Sequence, residues 1–192
     1  MPSPAKPLIL ASQSPRRKDL LNLIGLAFEV DVPALFQEFT AVQMPDPQEL
    51  VRENAKGKVE EVKHRHTNSI ILGVDTVVAL NGEVLGKPES AQEAIDMLSK
   101  LQGKTHTVWT GVRILDSETG LNVSFEDSTE VDFLPMSKTE IETYVQSGEP
   151  MDKAGAYAIQ GLGSVFIGGI RGDFFNVVGL PIAHVHSTLK KL

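Results

Sequence analysis

Cysteine is absent from the 192 residues. That removes disulfide frameworks, thiolate zinc sites and cysteine nucleophiles, and it agrees with a reducing, cytoplasmic setting. No apolar run approaches the roughly 18 residues of a membrane span. The opening MPSPAKPLIL carries one lysine and too short an apolar run for a secretion signal. An excess of positive charge is missing too. Lys and Arg number 18 against 25 Asp and Glu, a formal net charge of -7. A surface that coats a nucleic-acid polymer is therefore not expected, and any polyanionic ligand must meet a local cluster of cations in an acidic protein. There is no internal repeat, low-complexity stretch, P-loop or dinucleotide fingerprint. Gly161, Gly163, Gly168 and Gly169 have the wrong spacing and follow no strand-to-helix turn. What remains is an ordinary apolar fraction of 41%. It suits one globular domain over 1–192, or two small lobes on a shared core.

The stretch LILASQSPRRKDLL, Leu8 to Leu21, organises the reading. Leu8-Ile9-Leu10 suits a buried strand. Ser14 offers an N-cap oxygen, and Pro15 falls where a first helical residue would be. Leu20, Leu21 and Ile24 form the apolar face of the helix. Arg16 and Arg17 are out of place in its first turn, where the helix dipole already puts partial positive charge. A bound phosphate removes that penalty and uses the same N–H donors. Two solvated arginines on a surface helix are the plainer alternative.

Ala27 to Val32 alternates and predicts a second strand, followed by a surface loop from Leu35 to Met44. Asp46-Pro47-Gln48-Glu49 is a helix start, for a helix to about His64. Ser69 to Leu80 is the strongest buried-strand signal. Asn81-Gly82 after it predicts a type I′ hairpin that Lys87-Pro88 ends. Ser90 to Glu93 is a capping box for a helix to Leu101, stopped by Gly103. His106–Leu115 and Leu121–Leu134 are alternating strands, expected as neighbours. Ser137 to Glu140 caps a helix ending near Gly148. Gly148 to Gly163 is a glycine-bearing loop, Ser164 to Asp173 a hairpin turning at its glycines, and Pro181 opens a last helix to Leu189. The sum is a mixed α/β chain with about five helices and antiparallel hairpins, too irregular for a pure doubly wound sheet.

Few residues stand out chemically. Asp75 interrupts the most apolar strand, between Val74 and Thr76. A carboxylate there needs partners, because an unpaired buried charge costs several kcal/mol, to order of magnitude. Either it bonds backbone at a strand end, or it faces a cleft as a metal ligand or general base. Lys87 follows the hairpin that turns back toward Asp75. Lys58 lies on a charged helix and is locally unremarkable. Glu38 is a second carboxylate, and two carboxylates with phosphate oxygens are a common magnesium environment. Asp152-Lys153 and Gln160 sit in the glycine-bearing loop, where binding groups concentrate. Gln160 carries a donor and an acceptor suited to a base edge. His106, His184 and His186 have no metal-ligand spacing and read as structural or surface residues.

Five stretches in sequence order, ASQSPRR, GVDTVVALNGEVLGKP, LQGKTHTVWTGV, SGEPMDKAGAYAIQGLG and GDFFNVVGLP, resemble the Maf family of nucleoside triphosphate pyrophosphatases. The resemblance runs from Leu8 to Pro181. It implies a two-lobed α/β fold, an elongated mixed sheet flanked by helices with a central cleft, similar to the inosine triphosphate pyrophosphatases. It implies a divalent cation, Mg or Mn, and cleavage between the α- and β-phosphates to a nucleoside monophosphate and pyrophosphate. Asp75-Thr76-Val77 and Ala158-Ile159-Gln160-Gly161 look like the subgroup acting on dTTP and UTP. The 7-methyl-GTP subgroup would show glutamine after the aspartate and glutamate near Gln160. By position, Ser12, Arg16 and Arg17 would bind the triphosphate, Lys58 and Lys87 would bracket it, and Asp75 would be the proton acceptor. Arg16, Thr76 and Gln160 would tune base selection. Glu38 is the best match to the metal-associated acid, although Gln37 stands where an acid often appears in relatives. A homodimer is usual in the family. Rival readings are a pyrophosphatase with another base preference, and a nucleotide-binding regulator of septum formation without turnover.

Overall fold

The structure is a computed structural model that describes residues 6–192. The first half of the N-terminal stretch read above lies outside the described residues. Among the described residues seven strands form one sheet: β1 (Leu8–Ala11), β2 (Glu29–Val30), β3 (Ile70–Leu80), β4 (Glu83–Leu85), β5 (Thr105–Asp116), β6 (Asn122–Phe133) and β7 (Ile167–Arg171). The order is β2-β1-β3-β5-β6-β7, with β4 added beside β3. β1 runs parallel to β2 and β3, and every other pairing is antiparallel. The same residues form six α-helices: α1 (Pro15–Leu23), α2 (Pro47–Val62), α3 (Ala91–Leu101), α4 (Lys138–Gln146), α5 (Phe174–Val178) and α6 (Ile182–Leu189). Among the described residues no helix is long and apolar enough to cross a membrane.

Successive side chains of a strand point to opposite faces, and β3 uses both. Leu72 and Val74 pack with α1 and α6 residues into one core, while Val78 and Leu80 join α3 and α4 in a second. The two cores share one face of the sheet and make two lobes. Between them on that face lie Thr76 and its cross-strand partner Thr110. The opposite face, through Ile71, Gly73, Asp75 and Val77, looks at α2.

α2 lies unusually close to that face because two strand positions have no side chain. A Cβ on Gly73 would sit 2.4 Å from Ala55 O, and one on Gly111 would sit 2.4 Å from Val51 O. Gly111 is the cross-strand partner of Asp75. The two glycines therefore set how closely Asn54 and Lys58 approach the Asp75 carboxylate.

Most expected elements are present with small changes of length. Asn81 (φ 52°) and Gly82 (φ 86°) make the predicted hairpin turn between β3 and β4. Asp46 caps α2 and Ser137–Glu140 forms a reciprocal capping box on α4. At α3 only half of the box forms: Ser90 accepts from Glu93 N–H, but the Glu93 carboxylate takes Glu89 N–H. Ser14 makes no side-chain cap on α1. Its backbone N–H donates to Ser12 Oγ at 3.2 Å. The second strand shrinks to Glu29–Val30. The expected hairpin at Ser164–Asp173 is absent. A 3₁₀ turn over Gly161–Phe166 leads into the single strand β7, which contains Gly168 and Gly169. At Gly168 the missing side chain serves close approach rather than a turn: a Cβ there would lie 2.9 Å from Leu134 Cδ2, beside a register shift at Asp132/Phe133. The short helix α5, capped by Asp173, went unread in the sequence.

Two outcomes test this packing. Gly111→Ala pushes a methyl group into α2 backbone and should lower the unfolding free energy by ~1–3 kcal/mol or more. Gly86→Ala, where a Cβ meets nothing within 4 Å, should change it by less than about 0.5 kcal/mol. Urea unfolding of both variants measures the difference. The second outcome concerns His106, which is buried, bonds Tyr157 Oη at 2.7 Å and has its pKa pushed down to about 4 by burial. Its folded pKa lies below the unfolded value near 6.5, so the neutral ring supports the fold above pH 6.5. That support drains away as the pH falls toward 4, by up to about 3 kcal/mol. Stability measured across this interval should fall less steeply in His106→Phe than in the parent.

Candidate active site

β1 pairs with β3 only as far as Gly73, and β4 begins pairing at Val78. Among the described residues Val74 to Val77 therefore have no strand partner on that side, and the sheet has a notch. Side chains from both of its faces reach the same opening. The cleft there has a volume of about 950 Å³. Ser12, Arg16, Arg17, Glu38, Lys58, Asp75, Thr76, Lys87 and Gln160 all line it. Every side chain singled out for binding or chemistry thus comes to one place.

The deepest part is an ion cluster under the notch. Lys58 Nζ donates to Asp75 Oδ1 at 2.7 Å and to Val74 O at 3.1 Å, and lies 2.9 Å from Glu38 Oε1. Asn54 Nδ2 donates to Asp75 Oδ2 at 3.1 Å. Asn54 and Lys58 stand four apart on α2, hence on one face. Two donors fix the Asp75 carboxylate, which still has acceptor capacity on each oxygen. Asn54 also holds the loop that carries Glu38: its Oδ1 accepts Phe39 N–H at 2.7 Å and its Nδ2 donates to Phe39 O at 3.1 Å. Glu61 accepts Leu35 and Phe36 N–H at the start of the same loop. Gln37 does not line the cleft.

The two arginines differ in kind. Arg17 is a tether. Its Nε donates to Gly179 O at 3.0 Å, Nη1 to Ser12 Oγ at 2.9 Å and Nη2 to Thr76 Oγ1 at 3.2 Å. It thereby ties α1, β3 and the end of α5 together. Burial lowers its pKa from the usual arginine value, while Asp75 and Glu38 pull the other way. Thr76 Oγ1 lies 3.0 Å from Thr110 Oγ1, which in turn contacts Asn176 O. Arg16 instead spans the cleft to the other lobe, with Nη1 2.7 Å from Asp152 Oδ2 and Nη2 3.1 Å from Asp152 O. Burial alone would raise the Asp152 pKa, but hydrogen bonds from Lys153 and Arg16 bring it down to about 2. So the charge that the first turn of α1 requires is met here by an internal carboxylate. Lys87 is exposed at the rim and has no ion pair among the described residues. The sequence left Asn54 unread and Asp152 without a role; the spacing of Asn54 to Lys58 was the available signal for the first.

Among the described residues no three His, Asp or Glu side chains gather into a metal cage. Glu38 and Asp75 do converge, on Lys58 Nζ. That point is held by the ammonium, but each carboxylate keeps acceptor capacity besides Lys58, and carboxylate oxygens are donors that suit a small divalent cation completing its shell with water and phosphate oxygens. The histidines take no part. His106 is internal, and His184 stacks on Phe125 with centroids 3.6 Å apart.

This architecture places the chain in a class: two-lobed α/β proteins with a mixed sheet and a cleft between the lobes. A HAM1 protein from Coxiella burnetii shares the fold, with a TM-score of 0.54 at 12% identity and full coverage of both chains. Within that class the chain belongs to the Maf-like protein family, whose model matches residues 7–192. It is 46% identical over 185 residues to the dTTP/UTP pyrophosphatase of Desulforamulus reducens, covering 96% of each chain. It is 47% identical over 185 residues to that of Halalkalibacterium halodurans, covering 96% of this chain and 95% of the other. The dTTP/UTP pyrophosphatase of Symbiobacterium thermophilum is likewise 47% identical over 185 residues, 96% of this chain and 92% of its own.

The cluster under the notch makes a specific demand. The Lys58 and Asp75 side chains are only 6% and 10% exposed, and Glu38 is 55% exposed. Lys58→Ala leaves a buried carboxylate without its cation and should cost ~3 kcal/mol or more. Glu38→Gln loses only a solvent-screened partner and should cost less than about 1 kcal/mol. Parallel denaturation of the two variants measures the contrast.

Proposed function

We propose that this protein hydrolyses dTTP and UTP, and modified pyrimidine triphosphates, to the nucleoside monophosphate and pyrophosphate. The observation that carries the reading is the convergence of Asp75 with Ser12, Arg16, Arg17, Lys58 and Lys87 on one cleft. The names of the relatives at 46–47% identity agree with it. Arg16, Arg17 and Lys87 offset triphosphate charge, and Ser12 adds a hydroxyl near the first turn of α1. Asp75 accepts a proton from the water that attacks the α-phosphorus, as the bond to the bridging oxygen breaks and pyrophosphate departs. Lys58 and Asn54 keep the carboxylate oriented, and Lys58 adds positive charge beside the phosphates. Glu38 and Asp75 would hold a divalent cation, Mg²⁺ or Mn²⁺, which when bound polarises the phosphoryl oxygens. Arg16, Thr76 and Gln160 select the base, with Thr76 acting partly through the Arg17 guanidinium that it anchors. A cytoplasmic role in removing nucleotides before polymerases use them suits this chemistry.

The test is incubation with dTTP, UTP and 7-methyl-GTP in the presence of Mg²⁺ or Mn²⁺, with phosphate and pyrophosphate measured separately. Pyrophosphate is expected from dTTP and UTP; orthophosphate would overturn the bond assignment, and preference for 7-methyl-GTP the base assignment. Asp75→Asn should lower turnover by about 10²–10⁴-fold while equilibrium binding of dTTP is retained.

A further inference from the structure

The Gln160 side chain is exposed on the cleft wall, and among the described residues nothing bonds its amide. The backbone on either side of it, by contrast, is firmly held. Before it, Tyr144 Oη accepts Ala158 N–H at 3.1 Å. After it, Glu149 Oε2 accepts Leu162 N–H at 3.0 Å and Oε1 accepts Gly163 N–H at 2.9 Å. Tyr144 O–H donates to the same Glu149 Oε1 at 2.8 Å, so the two anchors are one unit. Gly161, at φ 78°, lies so close that a Cβ there would sit 2.4 Å from Glu149 Oε2.

Glu149 begins a 3₁₀ turn, Glu149–Asp152, whose other end is the Asp152 that holds Arg16. Lys153 Nζ closes the turn on itself, donating to Glu149 O at 2.7 Å and to Asp152 Oδ1 at 2.5 Å. Neither Tyr144 nor Glu149 lines the cleft. Whatever they contribute to the site passes through the groups they hold.

We propose that the Glu149–Asp152 turn is the positioning element for base selection, Glu149 with Tyr144 fixing the segment that carries Gln160 and Asp152 fixing Arg16. This rests on the reading of Gln160 and Arg16 as base-selecting groups. A base edge is read by hydrogen bonds whose strength falls steeply with distance and angle. An unrestrained amide on an unrestrained loop has little power to discriminate. Here two lobes place their base-facing side chains from one four-residue turn, so the separation between Gln160 and Arg16 is set by a single rigid piece.

The experiment compares kcat and KM for dTTP and dGTP in the parent protein and in Glu149→Gln, Tyr144→Phe, Asp152→Asn and Gln160→Ala. Glu149→Gln sets an amide N–H₂ against a backbone N–H, and Tyr144→Phe keeps the ring while removing the hydroxyl. Each of the first three should lower the dTTP-to-dGTP ratio of kcat/KM by about tenfold, mainly through a higher KM for dTTP. Gln160→Ala should do the same, and combining it with Glu149→Gln should add little. If Glu149→Gln fails to fold, Tyr144→Phe and Asp152→Asn carry the test. A parallel loss toward both nucleotides would make the turn a general support and overturn the proposal. A lowered ratio in Gln160→Ala alone would overturn the positioning role and leave the site reading standing. An unchanged ratio in Gln160→Ala would overturn the base-reading assignment and this inference with it.

Discussion

Four residues of β3, Val74 to Val77, lie between the end of β1 pairing and the start of β4 pairing. A strand interior open on one side leaves backbone polar groups that must find partners or solvent. The Val74 carbonyl finds Lys58, and the remainder of the notch opens into the cleft. Because side chains alternate across a strand, the same opening collects Asp75 from one face and Thr76 from the other. The helices that build the two lobes then separate at Thr76 and Thr110, so that the notch becomes the floor of a cleft rather than a covered defect.

Charge follows from that geometry. The protein is acidic overall, yet the cleft gathers Arg16, Arg17, Lys58, Lys87 and Lys153. Four of these are held by protein oxygens: Lys58 by two carboxylates, Arg17 by three neutral oxygens, Arg16 by Asp152, and Lys153 by Glu149 O and Asp152. Arg17 bonds neutral oxygens and feels Asp75 and Glu38 only at a distance, which suits an anionic ligand better than a closed salt bridge does. The carboxylate on Arg16 comes from the opposite lobe, so the ion pair also bridges the cleft. Lys58 has the opposite duty, keeping the Asp75 carboxylate compatible with burial while it also meets the exposed Glu38.

Much of the fold was legible because it rests on local chemistry. The apolar run at Leu8, the buried strand at Ile70–Leu80, the Asn-Gly hairpin, and the caps at Asp46, Ser90 and Ser137 each stabilise their own element. The failures share a cause. Ser14 looked like a cap, but its side chain accepts from none of the N–H groups in the first turn of α1. Gly168 and Gly169 looked like a turn, but both lie in a strand, and the room that Gly168 leaves is used by Leu134 beside a register shift. Glycine marks a need for space or for unusual angles, and sequence does not say which.

The sequence by itself determined the kinds of element, the lone strand-borne acid at Asp75, the arginine pair in the first turn of α1, and the resemblance to one family. Those are properties of short segments, where periodicity, capping and residue type act over a few bonds. Only the tertiary structure decided that Lys58 faces inward rather than to solvent, that Glu38 and not Gln37 meets it, and that Arg16 reaches across to Asp152. Helix α2 sinks toward the sheet where Gly73 and Gly111 lack side chains, and that close approach turns an unremarkable helical lysine into the partner of Asp75. Contacts between residues 17 to 136 positions apart depend on how elements pack, and no local pattern carries that information.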